Sequence, residues 1–249
     1  MVMFYFSGTG NSKYAAELFC REMGALCHSI EEDIDFSALI TSSKTIGFCY
    51  PIYGSRVPRI MRGFVTKHMA SMRGKNVIIF CTQMIFSGDG ARALTDLFPR
   101  GHINVIYAEH FFMPNNVPNI TSLFNPSKKF VNRSILKTQR KMTAVCRDIN
   151  TGIIKKRGFS TVSRLLGLIQ GSMWPRLEKR AARSIRINDN CNVCEKCTTA
   201  CPMKNLKKSN GKIIHNNNCT VCYRCVNICP KKAITTMLHW KVRRQYINI

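Results

Sequence analysis

The feature that most constrains this chain is a pair of cysteine runs near its C-terminal end. The first run is CNVCEKCTTACP at 191–202, and the second is CTVCYRCVNICP at 219–230, starting 28 residues later. They contain eight of the 13 cysteines. In a reducing cytoplasm, such an ordered array indicates a metal site rather than a disulfide framework. The repeat predicts a small pseudo-symmetric unit that holds metal at two places.

Each run has the spacing C-x2-C-x2-C-x3-C-P, which resembles the pattern of bacterial two-cluster ferredoxins. In that pattern the first three cysteines bind one [4Fe–4S] cluster and the fourth binds the other. Structural zinc is the alternative, although zinc prefers paired C-x2-C units separated by a longer loop. The resemblance therefore predicts two crossed ligand sets, which are Cys191, Cys194, Cys197 and Cys229 for one cluster and Cys219, Cys222, Cys225 and Cys201 for the second.

The first 150 residues alternate apolar runs with helical patterns, which is typical of an α/β fold with a parallel sheet. Right-handed crossovers place helices on both faces, giving a doubly wound sheet. We expect this domain at 1–150, a basic helical linker at 151–187, a small α+β domain at 188–240 and a tail at 241–249. Strands are predicted at 2–6, 25–30, 45–50, 76–82 and 102–112, and helices at 11–24, 56–69, 90–98 and 127–149.

The segment FYFSGTGNS (4–12) lies between the first predicted strand and the first helix, where phosphate sites form. It lacks the GK[ST] ending of the Walker loop, and Lys13 stands where the dinucleotide fingerprint has its third glycine. The hydroxyl-rich turn resembles the FMN phosphate loop of the flavodoxin family. The resemblance implies a flavodoxin-like sheet of order 2-1-3-4-5 with FMN as cofactor. The predicted phosphate contacts are Ser7, Gly8, Thr9, Gly10, Asn11 and Ser12.

The same resemblance implies that two further loops flank the flavin, YPIYGSRVP (50–58) and CTQMIFSGDG (81–90). Tyr53 is a candidate to stack on the flavin ring, and an ordinary turn tyrosine is the alternative. Asp89 is predicted to cap the next helix rather than to contact the flavin. The candidate contacts in these loops are Pro51, Tyr53, Gly54, Thr82 and Gln83.

The five other cysteines are interpreted as small buried apolar residues, and no histidine is assigned a role. Cys49 and Cys81 lie at strand ends near the expected flavin, so a redox role for either one is the alternative. No catalytic residue is predicted.

A flavin loop followed by a two-cluster ferredoxin pattern resembles the flavodoxin–ferredoxin fusion proteins of anaerobic bacteria and archaea. MPNN (113–116) and RRQYINI (243–249) add to this resemblance. It implies an electron-transfer iron–sulfur flavoprotein that relays electrons between FMN and two [4Fe–4S] clusters. The alternative is an FMN-dependent oxidoreductase that reduces a quinone, a nitro compound or a metal ion. Nucleic-acid binding is disfavoured because the basic residues are not gathered with stacking aromatics.

Charge is concentrated in the second half of the chain. Residues 1–120 carry 11 Lys and Arg against 9 Asp and Glu, whereas residues 121–249 carry 27 against 4. We expect a redox partner with an acidic docking face, whose association slows as salt rises. The apolar residues of the basic segment at 151–187 recur at helical spacing, which favours a helix packed on one of the domains. Peripheral contact with an anionic membrane is the alternative.

The sequence shows no basic leader and no run of about 18 apolar residues, so we expect a cytoplasmic location.

Overall fold

The computed structural model describes residues 1–117 and 127–246. The chain divides into two compact units, with Met1–Pro114 and Lys128–Trp174 in the first and Asn115–Ser127 and Pro175–Ile249 in the second. The segment predicted to be a linker, residues 151–187, is thus shared between the two units. Residues 247–249 of the predicted tail lie outside the described residues.

The first unit contains a six-stranded sheet of order β2-β1-β3-β4-β5-β6, in which all neighbouring strands are parallel. The predicted order of the first five strands is confirmed, and β6 is an added edge strand that the sequence did not predict. The strands are β1 (Val2–Tyr5), β2 (Leu26–Ser29), β3 (Thr45–Pro51), β4 (Asn76–Gln83), β5 (Asn104–Phe112) and β6 (Lys155–Lys156).

Helices connect the strands. The predicted helix at 90–98 contains a short 3-10 helix at Arg92–Leu97, and α2 was not predicted. The α-helices of this unit are α1 (Asn11–Met23), α2 (Phe36–Ser42), α3 (Arg59–His68), α4 (Lys128–Asn150) and α5 (Thr161–Gly171), and a second 3-10 helix spans Met69–Met72.

Both faces of the sheet are covered, because successive residues of a strand point to opposite sides. Met3 packs in the apolar cluster that contains residues of α1 and α4. The next residue, Phe4, contacts Phe36 of α2 and Phe64 of α3, with ring centroids 5.8 and 5.4 Å apart. The fold is therefore the doubly wound α/β arrangement that the sequence predicted.

The edge strand β6 is held by a buried carboxylate on β5. Glu109 is fully buried, and its oxygens lie 2.9 Å from Lys141 Nζ, 3.4 Å from Lys155 Nζ and 3.4 Å from Arg157 Nε. Burial opposes ionisation, but the hydrogen bond from Lys141 and the nearby cations lower the pKa of Glu109 overall. One carboxylate thus ties α4 and β6 to β5.

The second unit is small and mixed, as the sequence predicted. β7 pairs with β10, and β8 pairs with β9, both antiparallel. Among the described residues, no helix is both long and apolar enough to cross a lipid bilayer. The remaining elements are α6 (Trp174–Ala182), β7 (Arg186–Ile187), α7 (Lys196–Ala200), β8 (Leu206–Ser209), β9 (Lys212–His215), α8 (Arg224–Ile228) and β10 (Ile234–Thr235).

Candidate cofactor sites

The glycine loop turns sharply between β1 and α1. The backbone N–H of Gly10 donates to Ser7 Oγ at 3.0 Å, and Gly10 has a φ of 103°, which favours glycine. Because Gly10 is the N-cap residue, no capping side chain covers the first turn of α1, and this turn contains no acidic residue. A helix N-terminus of this kind suits a phosphate group through its backbone N–H groups and its dipole.

Long-range hydrogen bonds fix this loop to the ends of two other strands. Ser12 Oγ and Thr82 Oγ1 are 2.8 Å apart, although 70 residues separate them in sequence. Asn11 Nδ2 donates to the carbonyl oxygen of Pro114 at 2.9 Å, just beyond β5. Both contacts lie at the carboxyl edge of the parallel sheet, where doubly wound folds bind ligands. The structure thus brings the predicted phosphate loop together with Thr82.

The loop after β3 forms a tight turn next to an indole ring. Tyr53 and Arg56 exchange backbone hydrogen bonds of 3.0 and 3.1 Å. A Cβ added at Gly54 would lie 2.4 Å from a ring carbon of Trp174, so the indole packs directly on this glycine. The centroid of the Tyr53 ring is 6.4 Å from that of Trp174, with the planes tilted by 43°. The stacking of Tyr53 on a flavin stays a prediction, as does the contact at Pro51.

The loop after β4 presents apolar side chains that the sequence analysis did not single out. Met84, Ile85 and Phe86 are all exposed. Gln83 anchors the loop, because its carbonyl oxygen accepts from the N–H of Met113 at 2.8 Å. A flavin ring is flat and largely apolar, so exposed apolar side chains beside Gln83 are suited to cover it. In the sequence, the only signal for such a role of Met84, Ile85 and Phe86 is their position directly after β4.

The prediction that Asp89 caps the following helix was wrong. The first residue before that 3-10 helix is Ala91, and no side chain caps it. Asp89 is instead fully buried, and its Oδ2 accepts from Arg92 Nη2 at 2.6 Å. Arg56 Nη1 lies 3.9 Å from its Oδ1. Two guanidinium groups therefore compensate a buried carboxylate, which would otherwise be strongly unfavourable.

Helix α5 packs against the loops that follow β3 and β4, and glycine residues of the helix make these contacts. A Cβ added at Gly167 would lie 1.6 Å from Asp89 Oδ1, and one added at Gly171 would lie 2.3 Å from Arg56 Cζ. Only the absence of side chains allows this approach. The helix therefore packs on the loops that follow β3 and β4 through two glycines, spaced about one helical turn apart.

We expect Gly167→Ala to lower the free energy of unfolding of the first unit by about 1–3 kcal/mol, because Asp89 is held by Arg92 and cannot move aside. Gly63→Ala in α3 is the matched control, since a Cβ there meets nothing within 4 Å. Removing a helical glycine should stabilise the control by about 0.5–1 kcal/mol. Urea unfolding followed by circular dichroism measures both. Equal effects at the two positions would contradict the close packing of α5.

In the second unit, the two cysteine runs adopt the same backbone. Val193 and Val221 have φ of 54° and 60°, and Glu195 and Tyr223 have φ of 60° and 59°. α7 and α8 begin directly after Glu195 and Tyr223. Positive φ is unfavourable for a β-branched residue such as valine, so it persists only where the surroundings demand it. Strain repeated at equivalent positions indicates two equivalent sites.

One of these sites is a cavity lined by Cys201, Cys219, Cys222 and Cys225. Burial raises the pKa of the Cys222 thiol to about 12, with further contributions from Cys219 and Cys201. Within the part of the chain that the structure describes, no three His, Cys, Asp or Glu side chains come close enough to hold a single metal ion. Four cysteines around a shared cavity are the donor set that a [4Fe–4S] cluster requires.

The other four cysteines form the second group. Burial raises the pKa of the Cys197 thiol to about 11, and Cys229, Cys191 and Cys194 lie close enough to raise it further. The fourth cysteine of each run thus neighbours the first three of the other run. Two equivalent backbone N–H groups, those of Asn205 and Ala233, donate to Cys201 Sγ and Cys229 Sγ at 3.3 Å. Ligation by these eight cysteines stays a prediction, and the residues present fit it.

Family comparisons agree with this architecture. The family model described as "Flavodoxin domain" matches residues 2–149, which is more than half of the chain. The chain belongs to the flavodoxin family. A second model, described as "4Fe-4S dicluster domain", matches residues 190–234 of this flavodoxin-family protein. It is therefore a flavodoxin–ferredoxin fusion, as the sequence resemblance implied.

Solved flavodoxins resemble the first part of this fusion protein. A flavodoxin from Megasphaera elsdenii is 23% identical, with 57% of this chain and 99% of that chain covered and a TM-score of 0.40. An archaeal flavodoxin is 13% identical, covering 60% and 97%, with a TM-score of 0.41. Flavodoxin 2 from Bacillus cereus is 12% identical, covering 59% and 97%, with a TM-score of 0.40. No curated protein matches the chain. The family assignment rests on the two family models.

A flavodoxin domain implies FMN, and a 4Fe-4S domain implies iron–sulfur clusters. The fusion is therefore an electron-transfer flavoprotein in general terms.

Proposed function

We propose that this protein relays electrons between FMN and two [4Fe–4S] clusters. The observation that carries the proposal is the crossed grouping of the eight cysteines, four of which line one cavity. The same chain contains a flavodoxin unit with a phosphate-type loop at the N-terminus of α1. FMN can accept two electrons and release them one at a time, whereas each cluster carries one electron. A chain with both cofactors therefore connects two-electron and one-electron redox reactions.

The flavodoxin unit supplies binding and orientation. The loop at 7–12 holds the phosphate through backbone N–H groups and hydroxyls, without a lysine or arginine in the loop. Thr82 fixes Ser12 through their hydrogen bond and so keeps this loop in position. The loops after β3 and β4 form the walls of the flavin site, and Met84, Ile85 and Phe86 exclude water from it.

The ferredoxin unit supplies thiolates in a shielded setting. Cys197, Cys219, Cys222, Cys225 and Cys229 are buried, whereas Cys194 is exposed. Backbone N–H groups that point at cysteine sulfurs stabilise negative charge there, which raises the reduction potential of a bound cluster. Hydrogen bonding thus tunes the two sites in the same way, whereas burial differs, because the group of Cys219, Cys222 and Cys225 has no exposed cysteine and the other group contains Cys194.

The first test counts the cofactors and then follows electrons within the chain. Anaerobically purified protein should contain about eight irons, eight sulfides and one FMN. After the flavin is reduced by a light flash, the cluster absorption band should bleach in a first-order process. Its rate should not change with protein concentration, because both partners lie on one chain. A rate proportional to concentration, or the absence of either cofactor, would contradict the relay.

The alternative function is an FMN-dependent oxidoreductase that reduces a small acceptor. Steady turnover of a quinone, a nitro compound or a metal ion would favour it, provided that variants without clusters retain this turnover. The relay instead requires the clusters for any electron to leave the flavin toward a protein partner. We propose that this partner presents an acidic docking face, since residues 121–249 carry 27 basic and 4 acidic residues.

A further inference from the structure

Helix α5 turns its apolar face outward. Val162, Leu165 and Ile169 of this helix, and Met173 just beyond its end, are between 59% and 67% exposed. Their spacing of three and four residues places them on one face. The face that packs on the first unit contains Gly167 and Gly171. This is the reverse of an ordinary surface helix, which buries its apolar stripe against the core.

The orientation of this helix is fixed by its other face. Ser55 Oγ donates to Gln170 Oε1 at 2.6 Å, and Gly167 lies against the buried Asp89. Ser160 caps the first turn by accepting from the N–H of Ser163 at 3.1 Å. Rotation of the helix to bury its apolar residues would break the contacts of Gln170 and Gly167, whereas the Ser160 cap lies within the helix and would turn with it. The contacts of the opposite face therefore keep the apolar face of α5 exposed.

The charge around this face has one sign. Between Asp148 and Glu178 the chain contains no acidic residue. Residues 151–174, which belong to the same unit as α5, contain four Lys and Arg, all exposed, and no acidic residue. Lys155 and Lys156 are on β6, Arg157 follows them directly, and Arg164 lies in α5. Exposed aliphatic side chains among cations of one sign are the pattern of a helix that lies in the surface of an anionic membrane.

We propose that α5 and its flanking cations, which we call the α5 face, dock the protein on anionic lipid. The aliphatic side chains enter the boundary between headgroups and acyl chains, and the cations contact lipid phosphates. A second copy of the chain is a poor occupant, because two such faces would bring eight like charges together, four from each copy. An acidic protein would satisfy the charges, but it would also need a complementary apolar surface, whereas a bilayer adapts to any side-chain shape.

The test uses the full holoprotein and vesicles of two compositions. Wild-type protein should float with vesicles that contain phosphatidylglycerol and not with pure phosphatidylcholine, and high salt should weaken the binding. Leu165→Glu should lower partition roughly tenfold or more, because it places a charge in the apolar face. Leu136→Glu on α4 is the matched control, since Leu136 is 55% exposed and the charge change is the same. The control should bind like wild type.

A charge variant tests the second half of the proposal. Lys156→Gln combined with Arg164→Gln should weaken binding to anionic vesicles roughly tenfold and leave iron and flavin contents unchanged. Both residues are exposed. Absence of wild-type binding, equal binding of Leu165→Glu and wild type, or equal binding to both lipid compositions would overturn the proposal. A wild-type dimer that Leu165→Glu dissociates in sedimentation velocity would assign the α5 face to a second copy instead.

Discussion

Cys201→Ala is expected to remove the same cluster as Cys222→Ala, and Cys229→Ala the same cluster as Cys194→Ala. Cys201 lines the cavity of Cys219, Cys222 and Cys225 rather than completing its own run. Without one of its four thiolates, a [4Fe–4S] cluster loses iron or fails to assemble. Iron should therefore fall from about eight to about four per chain in each single variant. This is one of the two largest effects that the structure predicts.

Electron paramagnetic resonance of the reduced protein distinguishes the clusters that remain. The signal of Cys201→Ala should match that of Cys222→Ala and differ from that of Cys194→Ala. Cys27→Ala is the control, because Cys27 is a half-buried thiol on β2, outside the cysteine unit, and should keep full iron content. If Cys201→Ala matched Cys194→Ala instead, each run would hold its own cluster and the crossed grouping would be wrong.

If alanine variants lose all iron, serine variants preserve the comparison. Serine retains an oxygen ligand of similar size, so Cys201→Ser and Cys222→Ser should each perturb one cluster spectrum and spare the other. Loss of both clusters in every serine variant would show that the two sites assemble only together. The pairing of signals would then fail, and the crossed assignment would have no support.

The sequence predicted the parallel sheet well, because β3 and β4 are continuous apolar runs that need cover on both faces. It did not predict β6, whose residues Lys155 and Lys156 have no strand pattern. This strand forms because Lys155 and its neighbour Arg157 pair with the buried Glu109. A local pattern cannot reveal an ion pair with a residue almost 50 positions earlier.

Local sequence patterns also fail to reveal contacts between distant residues at the two cofactor sites. Asp89 was predicted to be a cap from its local position, whereas its partner Arg56 comes from a different loop. The link between Ser12 and Thr82 likewise joins two motifs that the sequence could only treat separately. The cysteine grouping was predicted because the two runs resemble the two-cluster ferredoxin pattern, and ligation by these residues stays a prediction. Helical spacing correctly identified the apolar face of α5, but spacing does not tell whether such a face is covered.

Thr9→Asp is expected to weaken FMN binding by about 100-fold or more. Thr9 is 4% exposed in the loop at the N-terminus of α1. A carboxylate there would stand within a few ångströms of the phosphate dianion, and like charges at such a distance repel by several kcal/mol where water is largely excluded. Titration of flavin-free protein with FMN, followed by flavin fluorescence, measures the change in the dissociation constant.

Riboflavin separates a charge effect from damage to the loop, because it lacks the phosphate. The ratio of riboflavin to FMN affinity should rise in Thr9→Asp and stay at the wild-type value in Thr9→Ser, which keeps the hydroxyl. Thr66→Asp adds the same charge at an exposed position on α3 and should leave FMN binding unchanged. Equal losses of FMN and riboflavin in Thr9→Asp would indicate damage to the loop. Unchanged FMN binding in Thr9→Asp would mean that residues 7–12 do not hold the phosphate. The flavin would then need a different anchor, and the relay would lose the geometric basis of its first step.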